Sequence, residues 1–142
     1  MKLLFSGLIL TASLLAAAAP AIAGDAKAGE DVFKKCRACH AIIGADGAEI
    51  VKGGKTGPNL FGVIGRQIGT EAGFKYGADT VAAGADGTKW DEAMIAAYVI
   101  DPSAWLQQKT GKTTARSKMT FKLATGGEDV AAYLASLAPA AQ

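Results

Sequence analysis

The sequence has few side chains that bind transition metals through nitrogen or sulfur. Its 142 residues include one histidine, two cysteines and three methionines. A single histidine excludes a metal ion held by two imidazoles, and together with two cysteines it supplies only three of the four ligands of a structural zinc site. The formal net charge of +2 is too small for a nucleic-acid-binding protein. The sequence also shows no internal repeat and no clear strand pattern.

The first 23 residues have the features of an export signal. Lys2 precedes a long apolar segment that ends in an A-x-A pattern at residues 21–23, which is typical of a secretory signal peptide cleaved before Gly24. The alternative is an uncleaved anchor, since the apolar segment is nearly long enough to span a bilayer. Pro20 and the A-x-A pattern favour cleavage. We therefore predict a cleaved signal peptide at residues 1–23 and a single periplasmic domain at residues 24–142.

Three segments of the mature domain have helical periodicity. Residues 24–35 begin with Asp25 as an N-cap, residues 90–100 end before Pro102, and residues 128–137 carry apolar side chains at helical spacing. Residues 41–89 contain 12 of the 18 glycines and show no period, and residues 108–123 are also predicted to be loop. This is little regular structure for a stable core. A large apolar group wrapped by the loops would supply the missing mass.

The segment KKCRACHAII, residues 34–43, contains both cysteines and the histidine. Cys36-Arg37-Ala38-Cys39-His40 is the C-x-x-C-H attachment motif of c-type haem. Two cysteines three residues apart at the end of a helix can form thioethers with one porphyrin, and His40 then lies under the iron. A zinc site would need a carboxylate as its fourth ligand, and a thioredoxin-like redox pair would need a βαβ context. A disulfide across three residues is uncommon, so one covalent haem is the best interpretation.

The second axial ligand has to come from a methionine. Met1 leaves with the signal peptide, and Met94 lies on the apolar stripe of a predicted helix, where methionine usually fills the core. Met119 lies in a polar loop, RSKMTF, so we predict that it binds the iron; the alternative is that it is simply packed. Methionine and histidine ligation raises the reduction potential and closes the site for exogenous ligands. Such ligation points to electron transfer.

The motifs GDAKAGEDVFKKCRACH, KTGPNLFGVIGR, GFKY, AYVIDP, KMTFKL and GGEDVAAYLASL follow one another along the chain. In these motifs and their order the chain resembles the class I cytochromes c, in particular the cytochrome c2 type of photosynthetic purple bacteria, over essentially the whole mature domain. The resemblance implies an all-α fold, with three or more short helices and glycine-rich loops around one covalent haem. Residues 109–116 replace the proline-containing approach to the methionine that is usual in the family, and the segment at residues 45–54 is longer than in the mitochondrial members.

The resemblance also implies roles for individual residues. Pro58 would accept a hydrogen bond from His40, and Leu60 would contact the porphyrin. The haem propionates would be neutralised or hydrogen-bonded by Arg66, Tyr76 and Trp90. Tyr98 would lie beside the methionine sulfur, and Phe121 would cover the exposed haem edge. Gly29 and Tyr133 would form the contact between the first and last helices.

These features predict a soluble, monomeric one-electron carrier rather than an enzyme. The resemblance implies reduction by a cytochrome bc complex and oxidation by a photosynthetic reaction centre or a terminal oxidase. Basic residues flank the haem motif and the methionine, and we expect them to steer the protein onto acidic partners: Lys34, Lys35, Lys52, Lys55, Lys118 and Lys122. The alternatives are a haem peroxidase or ligand sensor with an open sixth position, and a binding module without haem.

Overall fold

The computed structural model describes residues 24–137, so the predicted signal peptide lies outside the described residues. Five short helices carry most of the regular structure: α1 (Ala26–Phe33), α2 (Ala78–Ala83), α3 (Glu92–Ile100), α4 (Pro102–Thr110) and α5 (Gly127–Ser136). The two strands are β1 (Ile42–Ile43) and β2 (Glu49–Val51). This architecture confirms the predicted all-α class. Between residues 24 and 137, no helix has the length and apolar character needed to cross a bilayer.

Helices α1 and α5 pack closely against each other. Gly29 of α1 lies on the backbone of α5, where a Cβ atom at this position would overlap the Asp129 carbonyl oxygen and lie 2.8 Å from Cβ of Tyr133. Phe33 and Tyr133 extend the contact, with ring centroids 5.6 Å apart. The contact leaves no room for a side chain at Gly29, which explains a glycine on the apolar face of α1.

The α1 boundary follows from hydrogen bonds at its N-terminus. The Asp25 carboxylate accepts the backbone N–H groups of Lys27 and Ala28, as an N-cap residue should. The N–H of Asp25 in turn donates to the Asp129 carboxylate at 2.8 Å. The first described residues are thus attached directly to α5.

Helices α3 and α4 are separated only by Asp101. Helix α3 ends at Ile100, as predicted from Pro102, but Pro102 is also the first residue of α4. Proline suits this position because its missing N–H has no helical partner there and its φ is already helical. Asp101 caps α4 by accepting the N–H of Ala104 at 3.0 Å. The predicted loop at residues 108–123 is therefore wrong at its start, since α4 continues to Thr110.

The glycine-rich segment contains regular structure that the sequence pattern did not indicate. Strands β1 and β2 form an antiparallel hairpin in which Ile42 pairs with Val51, so the prediction of no strands was wrong. The hairpin turns at Gly47, whose φ of +82° favours glycine. Helix α2 follows Gly77 in the same segment. Elements of two, three and six residues are too short to show a period.

Candidate haem-binding site

The core surrounds a cavity of about 300 Å³, which is lined mainly by apolar side chains. Its walls come from the end of α1, the loops on both sides of α2, helices α3 and α5, and the loop after α4. Ten residues predicted from the sequence line this one cavity: Cys36, Cys39, His40, Pro58, Leu60, Tyr76, Trp90, Tyr98, Met119 and Phe121. They span more than half of the described residues, and the fold brings them together.

The His40 ring is fixed by its neighbours. The side chain is buried, and its Nδ1 lies 2.9 Å from the carbonyl oxygen of Pro58. A carbonyl oxygen can only accept, so Nδ1 carries the proton and Nε2 keeps its lone pair for a metal. Burial lowers the pKa of His40, although the Pro58 bond opposes that shift. The neutral ring is the form that binds iron.

The loop across His40 must approach the ring very closely. A Cβ atom on Gly57 would overlap Cε1 of His40 and lie 2.6 Å from Nδ1. The N–H of Gly57 donates to the carbonyl oxygen of Cys39 at 2.8 Å, and the N–H of Gly54 donates to that of Arg37, also at 2.8 Å. The glycines therefore let the loop lie directly on the C-x-x-C-H segment. A Cβ atom at Gly54 or Gly57 would overlap atoms of that segment.

The donor set fits a c-type haem. Two thiols, an imidazole nitrogen and a thioether sulfur all line the same apolar cavity. Burial, and to a smaller extent the neighbouring Cys39, raises the pKa of the Cys36 thiol to about 11. No group of three or more His, Cys, Asp or Glu side chains able to hold a metal ion occurs within residues 24–137. The Met119 side chain lines the same cavity as His40.

The two candidate methionines have different surroundings. Met119 lines the cavity, whereas Met94 is partly buried and packs against the hydrophobic core. The N–H of Met119 donates to the Ser117 hydroxyl at 3.0 Å, and that hydroxyl lies 2.7 Å from the Tyr98 hydroxyl. Burial raises the pKa of Tyr98, which keeps the phenol protonated at neutral pH. Ser117 was not among the residues singled out in the sequence.

Arg66 lies outside the cavity lining, unlike the other predicted cofactor residues. Its guanidinium forms an ion pair with Glu71 and donates to the Asn59 carbonyl oxygen at 3.0 Å. Arg66 also acts electrostatically on Tyr76, whose pKa is raised by burial and lowered in part by that positive charge. The Glu71 partner was not predictable, because an ion pair between residues five apart in a loop has no periodic signal.

Three aromatic rings pack together beside the cavity. The Trp90 centroid lies 5.1 Å from that of Tyr98 and 5.0 Å from that of Trp105, and the Tyr98 and Trp105 rings meet edge to face. Such arrangements are favourable beyond simple burial. Trp105 was missed because α4 was not predicted as a helix. It packs against Trp90 and Tyr98 and does not itself line the cavity.

The six predicted docking lysines differ in their contacts. Lys35 and Lys118 line the mouth of the cavity, and Lys118 Nζ donates to the Lys75 carbonyl oxygen at 3.0 Å. Lys52 and Lys55 are exposed on the loop that covers the C-x-x-C-H segment. The other two are paired with carboxylates: Lys34 with Asp31 and Lys122 with Asp101, each at 2.6 Å.

Comparison with known proteins gives the family. Cytochrome c2 of Rhodobacter capsulatus is 59% identical over 131 residues, which cover 90% of this chain and 96% of that protein. Its crystal structure matches 80% of this chain and 97% of its own, with a TM-score of 0.79. Ferric cytochrome c-550 of Paracoccus versutus is 50% identical with the same TM-score, over 82% of this chain and 99% of that one. No protein-family model matches the chain.

The fold and the cavity define a class I c-type cytochrome, and the chain belongs to the cytochrome c2 family. Members of this family carry one covalently attached haem c, and the C-x-x-C-H motif at Cys36 and Cys39 fits that cofactor. The predicted cofactor and electron-carrier class are confirmed at this level. The alternative of a haem peroxidase or ligand sensor finds no support among the relatives.

Proposed function

We propose that this protein carries single electrons in the periplasm, with His40 and Met119 as axial ligands of a haem attached through Cys36 and Cys39. The observation that carries the proposal is the convergence of these four side chains on one apolar cavity, with His40 oriented by Pro58. When bound, the haem iron supplies a one-electron Fe(III)/Fe(II) couple. A carrier of this kind has no substrate to transform, so we propose that it is not an enzyme.

The residues around the cavity would control the environment of the couple. The apolar lining excludes water, which favours the less charged state and raises the reduction potential. We propose that Trp90 and Tyr76 donate hydrogen bonds to the haem propionates, while Arg66 compensates their charge from outside the lining. Leu60 would pack on the porphyrin. Phe121 is 42% exposed and lines the cavity, so it would lie between the cofactor and solvent at the site of transfer.

We propose that the surface around Lys35 and Lys118 docks transiently on acidic membrane complexes. The electron donor would be a cytochrome bc complex, and the acceptor would be a photosynthetic reaction centre or a terminal oxidase. The lysines Lys34, Lys52, Lys55 and Lys122 would add to the same field. Electrostatic steering speeds association and weakens with salt, and a small interface allows fast release. The protein would act as a soluble monomer after removal of residues 1–23.

Absorption spectroscopy tests the ligand assignment. The full precursor is expressed in a cell that matures c-type cytochromes, and oxidised and reduced spectra are recorded. We expect a low-spin spectrum with the weak far-red band of ferric iron bound to methionine sulfur. Met119→Ala should lose that band, whereas Met94→Ala, the matched control, should keep it. A high-spin ferric spectrum in the unsubstituted protein would contradict the proposal and favour an open iron site.

A further inference from the structure

The loop that carries Met119 is held by side chains of two helices, α2 and α4. We call residues 111–122 the methionine loop. The backbone N–H of Arg116 donates to the Asp79 carboxylate of α2 at 2.9 Å. The next N–H, that of Ser117, donates to the Ser103 hydroxyl of α4 at 3.1 Å. Two consecutive amides are therefore bound by residues 37 and 14 positions away along the chain.

These two contacts lead directly to the methionine. The Ser117 hydroxyl accepts the N–H of Met119 at 3.0 Å. Ser117 is thus held through its backbone N–H by Ser103 and holds Met119 through its side chain. Movement of the backbone at residues 116 and 117 would therefore move Met119, because Met119 is only two residues further along the chain and is hydrogen-bonded to the Ser117 hydroxyl.

Neither Asp79 nor Ser103 uses its side chain to cap its own helix. Asp79 lies in the first turn of α2, whose N-cap is Gly77 and forms no side-chain cap bond. Ser103 lies in the first turn of α4, whose cap is supplied by Asp101. Aspartate and serine at helix starts commonly bind local N–H groups. Here both acceptors point outward to a loop that has no helical or strand bonds to fix its backbone.

We propose that Asp79 and Ser103 form a backbone clamp that positions Met119 in the cavity and keeps its sulfur in place. This inference rests on the proposed role of Met119 as an axial ligand. Asp79 and Ser103 touch neither the cavity nor the methionine side chain, so they are positioning residues. Their effect is on the balance between a state with the sulfur at the iron and a state with the sulfur displaced.

That balance can be measured with an added ligand. Imidazole can bind ferric iron only when the sulfur is displaced, so its apparent affinity scales with the population of the displaced state. Loss of one clamp bond should raise that population and tighten imidazole binding twofold to tenfold. This factor corresponds to about 0.4 to 1.4 kcal/mol, which is the range for one hydrogen bond in a protein.

The experiment is an imidazole titration of the ferric holoprotein at fixed pH, followed by loss of the far-red band. Ser103→Ala and Asp79→Ala each remove one hydrogen-bond acceptor. Ser103→Thr and Asp79→Asn keep an acceptor, so they should bind imidazole as weakly as the unsubstituted protein does. The matched control is Ser136→Ala, because among residues 24–137 the Ser136 hydroxyl bonds only the Tyr133 carbonyl oxygen within α5. Unfolding by denaturant is measured for every variant.

The clamp predicts that Ser103→Ala and Asp79→Ala bind imidazole more tightly and that Ser136→Ala binds it as the unsubstituted protein does. This order should hold whatever the unfolding free energies of the three variants. If Ser103→Ala and Asp79→Ala lose stability but bind imidazole as the unsubstituted protein does, their role is only structural and the clamp is wrong. If the unsubstituted protein shows no far-red band, the ligand assignment itself fails and the clamp fails with it.

Discussion

Gly57 lies flat against the imidazole of His40. A Cβ atom there would overlap Cε1 of the ring and lie 2.8 Å from Nε2, so no side chain fits without displacing either the ring or the loop. The same loop supplies the Pro58 carbonyl oxygen that binds Nδ1. The glycine and the proline therefore act together: one permits the loop to approach the ring, and the other orients it.

We predict that Gly57→Ala weakens both the fold and the histidine ligation. Forcing one extra carbon into a packed site costs about 1–3 kcal/mol. The free energy of unfolding of the holoprotein, followed by its visible absorption, should fall by that amount. Gly44→Ala is the control, because a Cβ there would approach most closely only the movable carboxylate of Asp46. Equal effects of the two substitutions would contradict the prediction.

We predict a similar loss at the contact between the first and last helices. Gly29→Ala places its Cβ on the backbone of Asp129 and 2.8 Å from Cβ of Tyr133, and neither is the flexible end of a side chain. The helices must separate, so we expect a loss of about 1–3 kcal/mol or more in denaturant unfolding. Glu30→Ala, on the next and exposed position of α1, should change stability by no more than about 0.5 kcal/mol. A tolerated Gly29→Ala would disprove the close packing.

Asp101→Asn should speed association with an acidic partner complex. The Asp101 carboxylate accepts a hydrogen bond from Lys122, which lowers the pKa of Asp101, and it also caps α4. Asparagine keeps the cap and removes one negative charge beside the proposed docking surface. We expect an association rate constant on the order of twofold higher at low salt, with a steeper salt dependence.

Two variants control this prediction. Lys122→Gln should change the rate in the opposite direction. Asp86→Asn removes a carboxylate paired with Lys109. Lys122 directly follows Phe121, which lines the cavity, whereas Asp86 and Lys109 have no lining residue beside them along the chain, so the effect of Asp86→Asn on the rate should be smaller. Stopped-flow kinetics at several ionic strengths compares them. An Asp101→Asn variant that associates more slowly would show that this surface does not face the partner.

Asp86 should make stability depend on pH in the acidic range. Hydrogen bonds from the Thr88 hydroxyl and backbone, and then from Lys109, lower the pKa of Asp86 in the folded state from its ordinary value of 3.8. A lowered folded pKa means stabilisation that is complete well above the ordinary value and is lost as pH falls below it. The stability difference between the unsubstituted protein and Asp86→Asn should therefore be largest at neutral pH and shrink below about pH 4.

Denaturant unfolding at pH 7, 4 and 3 measures this difference. Asparagine retains an oxygen that can accept from Thr88, so the substitution removes mainly the charge. Lys109→Gln, which removes one of the three donors, should show a reduced dependence on pH. A difference between the unsubstituted protein and Asp86→Asn that stays constant from pH 7 to pH 3 would contradict the prediction.

Helices with a buried face could be predicted from the sequence, and their bounds agree with the structure to within two residues. The apolar spacing in α1, α3 and α5 reflects packing against a single core, which is a strong periodic signal. Helix α4 was not predicted because Asp101-Pro102 was interpreted only as the end of α3, although the same pair is also a good start for a helix. The helix also contains polar residues such as Gln107 and Lys109, so its sequence shows no apolar periodicity although Leu106 is buried.

The candidate site was predictable to the extent that its chemistry depends on rare residues. One histidine, two cysteines three residues apart and a methionine in a polar loop leave few arrangements, and those side chains line one cavity. The supporting contacts were not predictable. Ser103 and Asp79 each accept one hydrogen bond from a distant loop, and Glu71 pairs with Arg66 within one loop. Common polar residues carry no pattern that marks such a partner.

The position of α5 has a consequence for the order in which the molecule can mature. Val130 and Leu134 of α5 line the cavity, whereas the C-x-x-C-H segment directly follows α1 near the other end of the mature chain. The last wall of the cavity is therefore synthesised about ninety residues after the attachment motif. Until α5 docks on Gly29, the cavity lacks the wall that Val130 and Leu134 supply. Bringing the two ends of so long a segment together costs entropy, and the contact between α1 and α5 offsets that cost only once it is complete. The last helix therefore closes the cavity and holds it closed.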